Sequence, residues 1–196
     1  HYGKDHIEVA RTLNNLGLVL NSLGESNQAK ELYDKILVIE QNHYGKNHPE
    51  VAKILNNLGS ALRNLKEYQK AKELLDKALV IKEKHYGKDR IEVARTLNNL
   101  GNALIDLKEY QKAKESYEKA LRIMENYYGK DHPVVARTLK NIGNALHSLK
   151  EYREAKELYE EAVRIQKKHY GQDHIEVAST LYNLSNALMA LKDYRG

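Results

Sequence analysis

A segment that begins HYGKDHIEVARTLNNLG recurs with small changes every 42 residues along the chain. A fixed period of this length is typical of stacked units, in which each unit buries its apolar surface against its neighbours. The period therefore predicts one continuous array rather than a globular domain with a single core. Its repeats span residues 1–42, 43–84, 85–126 and 127–168, and a partial copy with only a first helix spans 169–196.

Composition narrows the class of protein. Hydrophobic residues make up 41% of the chain and charged residues 30%, which favours a folded protein over a disordered one. The chain has no Cys, which excludes disulfides and thiolate chemistry and fits a reducing compartment, so we expect a cytoplasmic protein. No apolar stretch is long enough to span a membrane. The net charge of +5 favours acidic partners but is too small to indicate nucleic acid.

Each repeat carries the start signal of a helix. Asp5 is followed three residues later by Glu8, which is the pattern of a capping box. Pro49 and Pro133 are the only prolines, and both fall in the expected first turn, where proline is tolerated. The equivalent caps predicted for the later copies are Asn47, Asp89, Asp131 and Asp173.

Two helices are expected in each repeat. In the third copy, Val93, Leu97 and Leu100 follow the helical period of the first helix. A second helix follows a Leu-Lys-Glu-Tyr turn, and Gly45 and its equivalents suit a left-handed helix stop after it. Glycine inside a helix costs about 1 kcal/mol relative to alanine. A recurring mid-helix glycine therefore indicates close approach of a neighbouring helix, and these glycines are Gly17, Gly59, Gly101 and Gly143.

The third copy also shows the residues that carry a family resemblance, namely Leu97, Leu100, Gly101, Leu104, Tyr110, Ala113, Tyr117 and Ala120. They follow the pattern of the tetratricopeptide repeat. The longer unit is similar to the repeats of kinesin light chains and of related bacterial and eukaryotic arrays. The resemblance covers the whole chain and implies an all-α fold, a right-handed superhelical α-solenoid of antiparallel helix pairs. Lys66, Lys108 and Lys150 stand where the family has a turn glycine, which Gly24 keeps.

Histidine is the residue type that most invites a catalytic or metal-binding interpretation. The pairs, such as His43 and His48, straddle a glycine link, and His85 has lost its partner to Arg90. A zinc site needs three or four converging ligands. The pattern therefore favours a structural link. No Ser-His-Asp arrangement or phosphate loop is recognisable, so we expect no enzyme activity, no metal and no cofactor.

Asparagine recurs in the middle of the first helix, where its moderate helix propensity needs an explanation. A basic residue four positions earlier shares its helix face. One interpretation is that these asparagines form hydrogen bonds to neighbouring backbones and order the stack. The family resemblance implies another, because the first helices of such repeats line a concave face that holds a bound peptide. The candidate peptide-binding residues are Arg11, Asn14, Asn15, Lys53, Asn56, Asn57, Arg95, Asn98, Asn99, Asn102, Arg137, Asn141, Asn144 and Asn183.

The sequence is compatible with three functions. The first is a protein-interaction scaffold that binds an extended acidic peptide, because amides match a peptide backbone and Arg or Lys matches carboxylates. The second is a structural, self-associating or designed array without a specific ligand, which associates end to end through the last copy. The third, nucleic-acid binding, is disfavoured because acidic residues are nearly as numerous as basic ones. Side-chain selectivity is expected at one position that differs in every copy, occupied by Asn21, Arg63, Ile105, His147 and Met189.

Overall fold

The structure is a computed structural model that describes residues 7–193. All regular secondary structure in this range is α-helical. Helices of 16 residues alternate with helices of 19 residues, as the two-helix repeat predicts, up to a last helix of 19 residues. The helices are α1 (Ile7–Ser22), α2 (Ser26–Tyr44), α3 (Pro49–Asn64), α4 (Tyr68–Tyr86), α5 (Ile91–Asp106), α6 (Tyr110–Tyr128), α7 (Pro133–Ser148), α8 (Tyr152–Tyr170) and α9 (Ile175–Asp193).

The helices belong to two compact units, one that ends at Leu107 and one that begins at Lys108. In the first unit, each helix from α1 to α5 packs on the next, and α3 also contacts both α1 and α5. In the second unit, α6 to α9 pack consecutively, and α7 contacts α9. Successive helix pairs whose first helices touch each other are the arrangement of an α-solenoid. The predicted all-α solenoid class is therefore confirmed.

The mid-helix glycines let a side chain of the second helix contact the backbone of the first. A Cβ atom at Gly143 would lie 2.6 Å from Cε1 of Tyr159, and one at Gly59 would lie 2.8 Å from Cγ of Leu75. Both partners are fully buried, so neither has free space to move into. Gly17 is equally crowded. The predicted close approach is confirmed at these three glycines.

The cap of α7 differs from the prediction. Because the helix begins at Pro133, the N-cap residue is His132 and not Asp131. Nδ1 of His132 accepts a hydrogen bond of 3.2 Å from the backbone N–H of Val134. The Asp131 carboxylate instead binds the guanidinium of Arg164 at 2.6 Å. The predicted Asp131 cap is wrong because α7 begins at Pro133, which leaves Asp131 one residue before the N-cap position.

The same correction applies to the other first helices. His48 and His174 each accept a hydrogen bond of 3.2 Å at Nδ1 from the backbone N–H two residues ahead. Arg90 is the N-cap of α5 and makes no side-chain cap. The other predicted caps that prove wrong are Asn47, Asp89 and Asp173, whereas Asp5 lies outside the described residues.

The link between repeats joins each cap to the preceding helix. Gly129 ends α6 with φ 84° and ψ 155°. Among the amino acids, almost only glycine adopts this combination of positive φ and extended ψ. The predicted left-handed helix stop is therefore right in φ and wrong in ψ. The extended link places Tyr128 on His132, with ring centroids 4.4 Å apart and planes 17° from parallel. Equivalent stacks join Tyr44 to His48 and Tyr170 to His174.

The turn inside each helix pair requires a residue with positive φ. Gly24 has φ 85°, and the lysines that replace it, Lys66, Lys108 and Lys150, have φ 64°, 61° and 65°. A left-handed conformation costs a residue with a Cβ atom about 1–2 kcal/mol. Three turns therefore carry a local strain, at the positions where the sequence departs from the family pattern.

Candidate functional site

The predicted site lies on the first helices, which are α1, α3 and α5 in one unit and α7 and α9 in the other. Helical periodicity places the recurring Arg or Lys and the asparagines on one face, where successive first helices contact each other. We call this surface, taken in each unit separately, the first-helix face. It comprises Arg11, Asn14, Asn15, Lys53, Asn56, Asn57, Arg95, Asn98, Asn99, Asn102, Arg137, Asn141, Asn144 and Asn183.

In the first unit, asparagines bridge successive first helices. Nδ2 of Asn57 donates to Oδ1 of Asn14 at 2.9 Å, and Nδ2 of Asn99 donates to Oδ1 of Asn56 at 3.1 Å. Asn14 is only 5% exposed, whereas Asn56, Asn57 and Asn99 are half-buried. The pairs support the interpretation that these residues order the stack. Their partners are side chains, however, and not the backbone groups that were expected.

The second unit uses a different pairing. Nδ2 of Asn183 donates to Oδ1 of Asn144 at 2.9 Å, and the hydroxyl of Tyr159 donates to the same oxygen at 2.8 Å. Lys140 occupies the place of the first asparagine of the earlier copies and pairs with Glu176 at 3.0 Å. The bridge between α7 and α9 therefore combines an amide pair with an ion pair.

The basic residues of the first-helix face are exposed but differ in their partners. Arg11 pairs with Glu8 at 2.8 Å, and Lys53 pairs with Glu50 at 3.2 Å. Exposed pairs of this kind contribute little to stability, but each one neutralises a cation. In the fourth copy Val134 replaces the glutamate, and Arg137 has no ion pair among the residues that the structure describes. Arg137 is therefore the clearest candidate to receive a carboxylate.

The remaining predicted residues retain access to solvent. Asn15 and Arg95 are exposed, and Asn98, Asn102 and Asn141 are half-buried. An asparagine amide has two N–H donors and an oxygen with two lone pairs. The inter-helix bridges described above use one donor or one acceptor of most of the amides involved, so hydrogen-bonding capacity remains for a ligand.

Two residues at the position expected to give selectivity are already engaged. Asn21 accepts hydrogen bonds at Oδ1 from Asn64 at 3.0 Å and from Ser26 at 2.9 Å. Arg63 forms an ion pair with Asp106 of the next first helix. At these two copies the variable position stabilises contacts within the chain, which sequence variation alone could not distinguish from ligand selection.

One buried position near the end of each second helix, polar in three of the four copies, was not predicted from the sequence. Its occupants are Glu40, Lys82, Met124 and Gln166, which are 6%, 8%, 2% and 1% exposed. Burial lowers the pKa of Lys82 to about 8, and burial raises the pKa of Glu40. This position could have been found from the sequence, because helical periodicity places it on the apolar face of the second helix and yet three copies have a polar residue there.

Two clefts open onto this buried position. One cleft of about 350 Å³ includes Glu40, Arg11 and Lys53 in its lining, and a smaller one of about 70 Å³ includes Gln166 and Arg137. Oε2 of Glu40 and Oε1 of Gln166 are buried without a hydrogen-bond partner. The basic residues of the first-helix face therefore stand at the rims of clefts whose floors are polar.

Neither a metal centre nor a membrane span emerges from the described residues. Within residues 7–193, no three His, Cys, Asp or Glu side chains converge on a point where they could hold a metal ion. Over the same residues, every helix is too short or too polar to cross a bilayer. The arrangement is suited to binding through hydrogen bonds and charges.

Comparison with a protein-family model decides the family. The model of the tetratricopeptide repeat matches residues 8–84 and 92–168, which together make up most of the chain. The chain belongs to the tetratricopeptide repeat family. Comparison with curated proteins gives no match. Proteins with tetratricopeptide repeats generally serve as non-enzymatic scaffolds for protein interactions, and this general function is the one that the family supports.

Solved structures place the chain among long tetratricopeptide repeats. A Podosopora anserina protein of the kinesin light chain type, with nearly identical TPR-like repeats, has a TM-score of 0.82 and 22% identity, over 100% of this chain and 91% of its own. BtubC (BKLC) from P. vanneervenii has a TM-score of 0.80 and 24% identity, over 96% and 81%. The apo form of RapI has a TM-score of 0.76 and 21% identity, over 95% and 65%. At these identities the similarity shows the fold alone.

Proposed function

We propose that this tetratricopeptide repeat chain is a cytoplasmic interaction scaffold and not an enzyme, and that its first-helix face binds an extended acidic peptide. The observation that carries the proposal is the combination of half-buried asparagine amides with Arg137, a cation that has no ion pair within residues 7–193. The amides suit the N–H and C=O groups of an extended backbone, because each can donate and accept. Arg137 suits a ligand carboxylate, because a guanidinium binds it through two parallel hydrogen bonds.

The unequal pairing of the basic residues makes the proposal specific. Arg11 and Lys53 must exchange an existing carboxylate partner before they can bind a ligand carboxylate. Arg137 needs no such exchange, so it contributes more to affinity. The acidic residues of the ligand are therefore expected against the fourth copy, and the backbone contacts are expected from Asn141 and Asn144 beside it.

A peptide library displayed without sequence bias tests this proposal. We expect the selected peptides to be enriched in Asp and Glu, and their affinity to fall as salt concentration rises. Arg137→Gln should weaken the best peptide about tenfold or more, which corresponds to about 1.4 kcal/mol. Arg11→Gln is the matched control and should change affinity much less. A library that yields no binder, or a binder that is indifferent to Arg137→Gln, would contradict the proposal.

Self-association is a second candidate, and exposed apolar residues favour it. On α9, Ile175, Tyr182 and Met189 are exposed, and Leu181 and Leu188 are partly uncovered, as the sequence predicted for the leucines. Ile175, Tyr182 and Met189 are seven residues apart and so lie on one face of the helix, and an exposed apolar face is typical of an interface. Light scattering over a range of concentrations tests the idea, since a constant monomer mass would reject it.

A further inference from the structure

The cleft above Glu40 is the feature of the first unit that the scaffold function leaves unexplained. It lies between the start of α1, the end of α2 and the start of α3, and it has a volume of about 350 Å³. Charged side chains dominate its lining: Glu8, Arg11, Glu40, Glu50 and Lys53. A cavity of this size has room for one long side chain of a ligand.

Among the described residues, the charges that line this cleft do not balance, because three carboxylates face two cations. Arg11 is neutralised by Glu8 at 2.8 Å, and Lys53 is neutralised by Glu50 at 3.2 Å. Glu40 is the third carboxylate, and its Oε2 atom is buried without a hydrogen-bond partner. A buried carboxylate without a partner is unfavourable, so the cleft is best complemented by a group that donates hydrogen bonds and carries positive charge.

The repeat explains why Oε2 of Glu40 has no hydrogen-bond partner among residues 7–193. In the next copy, Nζ of Lys82 donates to Oγ1 of Thr96 at 2.9 Å. The residue equivalent to Thr96 in the first cleft is Ile54, which has no polar atom in its side chain. The hydroxyl that serves the buried polar position elsewhere is therefore replaced by an apolar group beside Glu40.

The second copy also shows that this location accommodates an ammonium group. Nζ of Lys82 lies 3.4 Å from the backbone oxygen of Glu92, which is the equivalent of Glu50. Its side chain is 8% exposed and occupies the position of Glu40 one repeat later. The repeat can therefore hold a positively charged group at this position, and it does so in the second copy without a carboxylate at the position of Glu40.

We propose that the Glu40 cleft is a specificity pocket that binds the lysine or arginine side chain of a peptide ligand. That the ligand is a peptide rests on the proposed scaffold function, whereas the affinity of the pocket for a cationic side chain does not depend on it. The aliphatic stem of the ligand side chain would pack on Ile54 and Tyr44, and its charged end would pair with Glu40. Acidic side chains are excluded from this pocket by the same carboxylate.

The test uses the whole chain and a small probe. The probe is N-acetyl-lysine methylamide, and N-acetyl-norleucine methylamide is the uncharged control of similar shape. In protein labelled with carbon-13 at the glutamate carboxyl carbon, the Glu40 resonance is assigned by its loss in Glu40→Gln. We expect a saturable shift with the lysine probe and none with the norleucine probe. A ligand of this size is expected to bind with a dissociation constant on the order of 1 mM.

Two variants that the chain itself suggests keep the test decisive. Glu40→Gln introduces the residue found at Gln166, and Glu40→Lys introduces the residue found at Lys82, so both substituted residues already occur at this position of the repeat. Each variant should reduce the affinity for the lysine probe at least tenfold. For both variants, the dissociation constant is measured from the shifts of backbone amide resonances around the cleft. Unchanged binding in either variant, or equal binding of the norleucine probe, would overturn the pocket. If the lysine probe binds but no library peptide does, the proposed pocket is supported and the proposed peptide groove is contradicted. If library peptides bind but the lysine probe does not, only the pocket is contradicted.

Discussion

The hydroxyl groups of two buried tyrosines are expected to affect stability with opposite signs. Tyr159 donates to Oδ1 of Asn144 at 2.8 Å. Tyr33 occupies the equivalent position in the first copy, and its hydroxyl is buried without a partner. The difference arises because Leu18 stands where the fourth copy has Asn144. The chain therefore contains the same tyrosine in a satisfied and an unsatisfied environment.

The magnitudes follow from these environments. Tyr159→Phe removes a hydrogen bond whose net contribution is about 0.5–1.5 kcal/mol, and it should destabilise the fourth copy by that amount. Tyr33→Phe removes an unsatisfied buried polar group, whose desolvation penalty is about 1–3 kcal/mol, and it should stabilise the first copy. Neither change opens a cavity, because phenylalanine keeps the ring that fills the space beside Gly17 and Gly143.

Native-state hydrogen exchange is the appropriate measurement, because repeat arrays can unfold locally and a single midpoint would average both copies. Protection of the α2 amides should rise in Tyr33→Phe, and protection of the α8 amides should fall in Tyr159→Phe. Leu18→Asn supplies the missing partner and should stabilise the first copy by about 1 kcal/mol only while Tyr33 is present. Equal destabilisation by the two phenylalanine variants would refute the reasoning.

Three further predictions follow from the packing, the caps and the titration of the chain. Gly143→Ala should destabilise the second unit in urea unfolding by up to about 2 kcal/mol, because overpacking against Tyr159 costs up to about 3 kcal/mol and better helix propensity recovers only about 1 kcal/mol; a variant more stable than wild type would contradict it. His132→Ala should cost about 0.5–2 kcal/mol and speed hydrogen exchange at the start of α7, whereas Arg90→Ala, which removes no cap, should not affect α5 in this way. Burial raises the pKa of Tyr33 to about 12 from an unfolded value of about 10. The folded state therefore holds the hydroxyl proton more tightly than the unfolded state does. The stability that this difference contributes is complete below pH 10 and is lost as the pH rises through 12. Alkaline unfolding should consequently be less steep in Tyr33→Phe, and identical pH profiles would be evidence against this.

The fold was predictable because its signals are local and repeated. Periodic apolar residues indicated the helices, and the recurring mid-helix glycine indicated a close contact that the structure confirms between Gly59 and Leu75. Where one helix begins was less predictable. Preferences for Asp and Asn at the N-cap pointed to Asn47, whereas the N-cap is His48 and the helix begins one residue later than predicted.

The partners of the asparagines could not be predicted from their spacing. Asn14 and Asn57 are 43 residues apart, so each bridge joins two different positions of the repeat unit. That offset depends on how far one first helix is shifted along the next, which helical periodicity within one copy does not determine. The buried position of Glu40 was missed for a different reason, since a polar residue on an apolar face resembles a surface residue unless all copies are compared.

The asparagine bridge has a consequence for how such a chain can change in length. Because Asn56 accepts a hydrogen bond from one neighbouring copy while Asn57 donates to the other, the interface is heterologous, and the second copy supplies both halves of it. Tandem duplication of such a copy, or loss of the added copy, therefore leaves no mismatched asparagine pair behind. The contact that holds the copies together thus also permits gain and loss of copies, and arrays with different numbers of units can arise without compensating mutations at the junctions.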